Sequence, residues 1–554
     1  MEQAASDDTE TEALRRRVRE LEQRQSAADA ALKTLTAERD NLRRVYQMLR
    51  LELDLLRRRI YAAKAERLDT AQLDLEFAEK RAQLLAVLPP VAPEEESTPP
   101  ANAAGKKKKA SPGRRDLSLA NLPEVRCELP DATMVAQGLE PIGFEESRQL
   151  GYQRGGPVCI VIARAKYKVS EADGSIHTAP LPRSIVPRAL CAPSMMAKIL
   201  VDKFCDGMPF FRQVEQLSRI GVAIDRGMMS RIAEEVGLTL GCIVLAARDE
   251  AMRSSFCLAT DATGVAIQPT RLEDGKRQAC RKGHFFVTLA DRDHVFFSFE
   301  PKHTSDAVCA LFKGYTGYIQ ADAHAVYDAL FRGRDAGEDE PPDKPTEVGC
   351  FAHARRKFYD AAVTTHDPRA REALFRIRLL FEKEAEWAKL APEQRGVQRR
   401  AVLGPWLADF FRWAEEVYAV VGVARGPLAA AFGYVVRQQE PLSRFLDDGR
   451  LRIDNNASER ALRQVAVGRK AWLFFGSDDH AEAAANLMGL LASCKLHRVE
   501  PMAYLEAVIR LVPVWPRDRY LELAPKYWAE TRGRLDADQL AAAVGPIAVP
   551  PPNE

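Results

Sequence analysis

FCLATDATGVAIQP (256–269), GHFFVTLAD (283–291) and HVFFSFEP (294–301) are three apolar runs rich in aromatic and β-branched residues, and each reads as a strand. HTSDAVCALFKGY (303–315) follows as a helix. GYIQADAHAVYDAL (317–330) and EVGCFAHARRKFYDAA (347–362) each read as a strand running into a helix. Two acids stand out in this stretch. Asp261 ends the apolar run CLATDAT, and Asp322 ends GYIQAD in the same way. A buried carboxylate without a partner is costly, so acids at such places call for a reason.

Three strands, a helix, a strand, a helix, a strand and a helix is the order of a ribonuclease-H-like α/β core, here over 250–360. In that fold the strands of Asp261 and Asp322 are neighbours, and their carboxylates face each other. Two close carboxylates repel unless a cation lies between them, and magnesium, which takes oxygen ligands, suits the pair. A third acid lies in RIDNNASERALRQVAVGRKAWLF (452–474). Asp454 or Ser458 can cap the helix that follows, which puts Glu459 in its first turn and Arg463 on the same face. A helix-borne carboxylate can complete a cage with two strand-borne aspartates. Two metal ions in such a cage activate a water or 3′-hydroxyl and stabilise the leaving oxygen. Arg460, Arg463, Arg469 and Lys470 lie nearby in sequence and could hold a phosphate backbone.

Working outward, residues 361–450 are mostly helical and have no place in the minimal core, so they read as an insertion before the Glu459 region at 451–477. A further helical region spans 478–515, and a tail ending in AVGPIAVPPPNE (543–554) is expected to lack order over 540–554. Upstream, residues 191–240 hold a helix, a short turn around Gly221 and a second helix starting near Asp225. This is helix-turn-helix spacing, with Arg226, Ser230 and Arg231 available to a DNA groove. Residues 126–190 form a small β-rich module in which VCIVIARAKYKV (158–169) is the clearest strand. Residues 88–125 are a basic Pro/Ala/Lys linker with no apolar period; its Lys106–Lys109 cluster could lie along phosphates. At the N-terminus, over 10–70, Leu14, Leu21, Ala28, Leu35, Leu42, Leu49 and Leu56 fall seven apart. Val18, Leu32, Tyr46, Leu53 and Ile60 form a second series, broken by Gln25 and Arg39. This is a coiled-coil seam too narrow for a lone helix to bury, and self-association is its simplest partner.

The bulk composition fits that plan. At 554 residues the chain needs three or four structural units. Hydrophobic residues make up 46% and charged residues 29%, with no run of about 18 apolar residues, so no membrane span is expected. The polar N-terminus lacks a signal-peptide core, which predicts a cytoplasmic protein. The net charge of +2 argues neither for nor against nucleic acid, but cations cluster locally, as at Arg355, Arg356 and Lys357. Ten cysteines are scattered with no C-x-x-C pair, which predicts reduced core residues and no zinc ribbon.

The chain resembles transposases of the insertion-sequence-66 family along nearly its whole length. The resemblance is carried by RRRIYAAKAERLD (57–69), DKFCDGMPFFRQVEQLSRIGVAI (202–224), TDATG (260–264), GYIQADAHAVYD (317–328), GCFAHARRKFYDA (349–361), LRIDNNASERALRQVAVGRKAWLFFGS (451–477) and AEAAANLMGLLASCKLHRVEPMAYL (481–505). It implies a DDE-type DNA transposase: a metal-dependent enzyme with a ribonuclease-H-like core, using Mg²⁺ or Mn²⁺. The family's acidic triad falls on Asp261, Asp322 and Glu459. It also implies terminal inverted repeats and target DNA as partners, and accessory proteins of the same element. His353 matches a family position that could touch DNA, beside Arg355 and Arg356. The family's module after the basic linker is zinc-finger-like with paired cysteines. In this chain Cys127 stands alone and YKVSEADGS (167–175) replaces the later pair, so a degenerate module without zinc is expected.

Three other readings compete: a DNA-binding regulator that has lost chemistry, a resolvase-like nuclease on the same fold, and a structural coiled-coil protein. The first would lack an acid, yet all three are present. The coiled coil with a helix-turn-helix argues against the second, and the large globular remainder against the third. The heptads carry their own test. The intact chain should sediment as a multimer and a chain beginning near residue 115 at lower order; equal monomeric masses would overturn self-association through this segment.

Overall fold

A computed structural model describes residue 25 and residues 122–153, 155–168, 176–269, 279–332 and 344–552. The coiled coil and most of the basic linker therefore lie outside the described residues. No described helix is long and apolar enough to cross a membrane.

The small β-rich module is a four-stranded sheet of β1 (Glu124–Leu129), β2 (Pro141–Gln153), β3 (Gly156–Lys168) and β4 (Ile176–Thr178). β3 pairs antiparallel with β2 and β4, and parallel with β1. Its run from Val158 to Ala163 is buried without a break, as a central strand covered on both faces should be. Alternate residues serve different clusters. Cys159 and Val161 join the main core, whereas Val158, Ile160 and Ile162 pack with Leu129 and Ala192. This is the period of two of a pleated strand. Cys127 sits half-buried on β1 with its thiol free, and burial raises its pKa.

The second sheet has the order β7-β6-β5-β8-β9, from β5 (Cys257–Ile267), β6 (Arg281–Ala290), β7 (His294–Glu300), β8 (Tyr318–Gln320) and β9 (Thr346–Val348). β5, β6 and β7 form an antiparallel meander; β8 and β9 join parallel to β5. The helix Ser305–Leu311 connects β7 to β8, and the short helix Asp328–Arg332 precedes β9. Phe285, Phe286 and Val287 are consecutive and fully buried, so both faces of β6 are covered.

Two long helices supply much of that cover. One is Arg226–Ser254, whose N-cap Asp225 accepts the Met228 N–H at 2.7 Å. The helix Phe210–Arg219, the turn at Gly221 (φ 81°) and this cap stand where the sequence put them. The second helix, however, runs for 29 residues with Met229, Ile232, Val236, Leu240 and Ile243 buried along its inner face, so it is a spine of the core as well as the second arm of the turn. It lies against the helix Asp478–Leu496, and a Cβ on Gly237 would stand 2.4 Å from the Ala483 carbonyl oxygen. Ser493 of that second helix accepts the Val295 N–H at 2.9 Å, which occupies a backbone donor on the edge strand β7.

The inserted residues divide. Residues 354–389 and 409–436 form a helical unit of their own, with Phe432 against Phe358 (4.9 Å between centroids) and Trp413 (5.3 Å), and Arg376 stacked on Trp413 (4.3 Å). Residues 390–408 belong with the sheet unit. There Arg399, 2% exposed, donates to the carbonyls of Phe445 (2.8 Å), Asp448 (3.2 Å) and Leu451 (3.0 Å). A buried guanidinium satisfied by carbonyls fixes the path of the chain just before the Glu459 region.

The C-terminal tail corrects an expectation. Arg519 donates to the Pro550 carbonyl at 2.9 Å, Ala548 N–H to Gln539 Oε1 at 2.7 Å, and Ile547 is 7% exposed. Low sequence complexity does not prevent order when arginines on the body offer donors to an extended strand of carbonyls.

Glu347 on β9 gives a pH prediction. Burial, then the charge of Asp328, pushes its carboxyl from 4.5 up to about 7. The folded state thus holds a proton that the unfolded chain releases near 4.5, so this group favours the fold at low pH and the benefit is lost as pH rises through 7. Glu347→Gln should raise the melting temperature at pH 8, by roughly 2–4 °C per kcal/mol relieved. The gain should vanish near pH 5, and thermal scans at the two pH values check it.

Candidate nucleic-acid processing site

β5 and β8 run parallel, pairing Cys257 with Tyr318, Leu258 with Ile319 and Ala259 with Gln320. Two residues further on this register stand Asp261 and Asp322. Asp261 does not end its strand as the sequence suggested: it lies within β5, opposite Val287 of β6, whereas Asp322 follows the end of β8, and the β5–β8 pairing stops two residues before each acid. Both are half-buried. The Asp261 carboxylate accepts the Ala262 N–H at 2.7 Å, and the Asp322 carbonyl accepts the His324 N–H at 2.8 Å in the turn that follows. Tyr327, buried at 2% exposure, feels both acids: burial first, then the charges of Asp322 and Asp261, holds its phenol protonated well above the usual range.

Glu459 lies in the first turn of the helix Asn456–Trp472. This helix is fastened to β5 along its length. At its start the side-chain amide of Asn455 donates to the Thr260 carbonyl at 2.6 Å. Towards its end Arg469 donates to the Gly264 carbonyl (2.8 Å) and Thr263 Oγ1 (3.1 Å). Leu473 (φ 70°) then ends the helix in a tight turn, and Phe475 exchanges backbone hydrogen bonds with Ala266 and Gln268. The Glu459 carboxylate is 26% exposed and lies 3.7 Å from Nε2 of His353, which is 15% exposed. His353 is thus held beside the third acid.

The helix start differs in detail from the sequence reading. Asp454 accepts the Asn456 N–H at 3.1 Å and its side-chain amide at 2.7 Å, so Asp454 does serve the first turn. Ser458 does not cap. It is fully buried and donates to Asn455 Oδ1 at 2.7 Å.

Among the described residues, no three His, Cys, Asp or Glu side chains are gathered closely enough to hold a metal ion. The donor chemistry of the acids is nonetheless that of a hard cation: carboxylate oxygens only, from Asp261 on β5, Asp322 just past β8 and Glu459 on the helix.

The cations singled out in the sequence are exposed. Arg460, Arg463, Arg469 and Lys470 lie on the Glu459 helix; Arg226 and Arg231 lie at the start of the long spine helix; Arg355 and Arg356 lie on the helix Phe351–Thr365. Arg469 spends part of its guanidinium on the β5 carbonyl, so it is also a structural tie.

Sequence reasoning missed a ladder of imidazoles beside Asp322. His324 lies 4.9 Å from His303, and His303 stacks at 5.1 Å on His284 of β6. Burial, then His324 and His284, lowers the His303 pKa, while Asp322 acts to raise it. The three residues come from separate elements, so no spacing in the sequence announces them.

Comparison with known proteins accords with this geometry. Residues 188–483 match the family described as "Transposase IS66 family", residues 489–525 match "IS66 C-terminal element", and residues 48–126 match "Transposase C of IS166 homeodomain". Relatives occur in Sinorhizobium fredii (strain NBRC 101917 / NGR234). The protein y4qI is 28% identical over 408 residues, covering 72% of this chain and 74% of y4qI. The protein y4hP is 28% identical over 396 residues, covering 67% of this chain and 68% of y4hP. Both carry the description "Uncharacterized protein", so they add kinship and no activity. The family match spans more than half of the residues, including the strands of both aspartates and the Glu459 helix, and the chain belongs to the IS66 transposase family.

Proposed function

We propose that this transposase cleaves and rejoins DNA at the ends of an insertion sequence by metal-dependent phosphoryl transfer on a ribonuclease-H-like core, with Asp261, Asp322 and Glu459 as its acidic triad. The observation that carries the reading is that β5 and β8 pair in parallel and that this pairing ends two residues before Asp261 and two residues before Asp322. A third acid stands on a helix tied to the first strand at both ends. The strand order β7-β6-β5-β8-β9, antiparallel then parallel, supports the ribonuclease-H-like assignment.

The three carboxylates would hold Mg²⁺ or Mn²⁺ ions, which when bound supply an activated oxygen nucleophile and charge stabilisation at the leaving oxygen. The protein's own share is positioning and charge. The exposed Arg460, Arg463 and Lys470 hold the DNA backbone along the Glu459 helix. Arg226 and Arg231 add backbone contacts from the spine helix, and Arg355 and Arg356 from the helix Phe351–Thr365. His353 holds the Glu459 carboxylate in place and offers a ring to a DNA phosphate. The partners are terminal inverted repeats and target DNA, with self-association through the N-terminal heptads.

The decisive experiment is cleavage of a DNA end from the element in magnesium or manganese. Asp261→Asn, Asp322→Asn and Glu459→Gln should each lower cleavage by more than about 100-fold, the upper range for losing a residue one shell further out. Binding of the same DNA should persist, because it rests on the cations. Asp454→Asn should cost little, since asparagine serves a helix start as well as aspartate. Parental cleavage by all three acid variants would overturn the assignment. An inactive Asp454→Asn beside an active Glu459→Gln would move the third ligand to Asp454.

A further inference from the structure

Two buried amides stitch together the segments that carry the three acids. Asn455 is 1% exposed and Gln320 is 2% exposed. Asn455 donates from Nδ2 to the carbonyl of Thr260, the residue before Asp261, at 2.6 Å. Its Oδ1 accepts the Ser458 hydroxyl at 2.7 Å, and its backbone N–H points at the Cys350 sulfur at 3.2 Å. Its carbonyl accepts the Glu459 N–H at 3.3 Å. Gln320, two residues before Asp322, donates from Nε2 to the Arg452 carbonyl at 2.8 Å and the Gly349 carbonyl at 3.3 Å. The short stretch from Arg452 to Asn455 is therefore fastened to both aspartate strands, and the Glu459 helix starts directly from it.

The Asn455 side chain is at odds with its position. It occupies the N-cap of the helix Asn456–Trp472, where an asparagine ordinarily turns back to satisfy its own helix. Here it makes no capping hydrogen bond, and Asp454 takes the Asn456 N–H instead. The amide is spent across the gap to β5. Packing alone would not require this, because an apolar side chain of similar size could fill the space. What an amide adds is a bond of fixed length and direction, held at both ends: the donor on a strand carbonyl, the acceptor on a serine of the helix. Metal-binding acids need their relative placement held within about 0.5 Å.

We propose that Asn455, with Gln320 as its counterpart on the other strand, is a positioning residue that sets the Glu459 helix against Asp261 and Asp322 so that the three acids can share metal. This rests on the triad reading given above. The site then has two layers: acids that touch the metal, and buried amides that fix where the acids stand.

The test uses the full chain, with Asn455→Asp as the principal variant. It keeps the shape and the acceptor for Ser458 but sets an oxygen against the Thr260 carbonyl. Three quantities are read: Mn²⁺ binding by electron paramagnetic resonance, end-DNA affinity by anisotropy, and cleavage as a function of Mg²⁺. The expected result is a Mn²⁺ affinity and cleavage rate lower by about 10–100-fold, the usual cost of losing a residue behind a metal ligand, with end-DNA affinity unchanged. Raising Mg²⁺ should recover part of the cleavage. Ser458→Ala, which removes one bond and no charge, should move the same readouts the same way by less. It carries the test if the melting curve shows that Asn455→Asp does not fold. Parental Mn²⁺ affinity in the folded variants would overturn the proposal, even if cleavage fell. Parental cleavage by Asp261→Asn would instead overturn the triad reading, a separate outcome seen in a separate variant.

Discussion

The parallel pairing of β5 with β8 brings the segments of Asp261 and Asp322 side by side, and the rest of the sheet is built to hold that pairing. β5 and β8 pair for only three residues before Asp261 and Asp322 are reached; β8 ends there and its chain turns, while β5 runs on past Asp261 against β6. Behind them the sheet is strongly determined. The meander β5-β6-β7 is buried on both faces at Phe285, Phe286 and Val287, and the long helices against it approach closely at Gly237 and Ala483. Close-packed interiors of this kind do not deform by degrees. The two acids are therefore carried by a rigid frame.

The same logic explains where the polar groups are spent. Arg399 satisfies three carbonyls in the segment that returns from the insertion, and Gln320 and Asn455 take up the chain from there. An insertion of helices between the second and third acids could vary the entry point of the Glu459 helix. These buried side chains fix that entry point locally. The cost is the desolvation of a guanidinium and two amides, which is tolerable only because their hydrogen bonds are made.

Much of this was legible in the sequence because strands buried on both faces announce themselves as continuous apolar runs. The acids at the ends of CLATD and YIQAD were conspicuous for the same reason. The register that β5 and β8 adopt before Asp261 and Asp322 was not legible. It depends on which residues of β5 and β8 pair, and nothing in either run alone specifies that. The helix start shows a finer limit. Asp454, Asn455 and Ser458 are all good capping residues, and which of them faces its own helix was decided by a carbonyl on β5 nearly 200 positions away. The length of the spine helix was not legible either: its first turns carry exposed arginines, and the burial that prolongs it comes from the helix Asp478–Leu496. The tail was misread because its order comes from arginines elsewhere.

The closeness of Gly237 to Ala483 has a consequence for how the protein is made. During synthesis the strands β5 to β9 leave the ribosome long before residues 478–496 exist. The hairpins can form at once, since their contacts are local, but the face that the helix Asp478–Leu496 covers stays bare until that helix arrives. A chain interrupted within that interval is not a slower version of the protein: its sheet keeps an exposed apolar face, and one interrupted before residue 459 lacks Glu459 as well. Chains broken before residue 478 thus yield material for proteases and chaperones in place of a closed core.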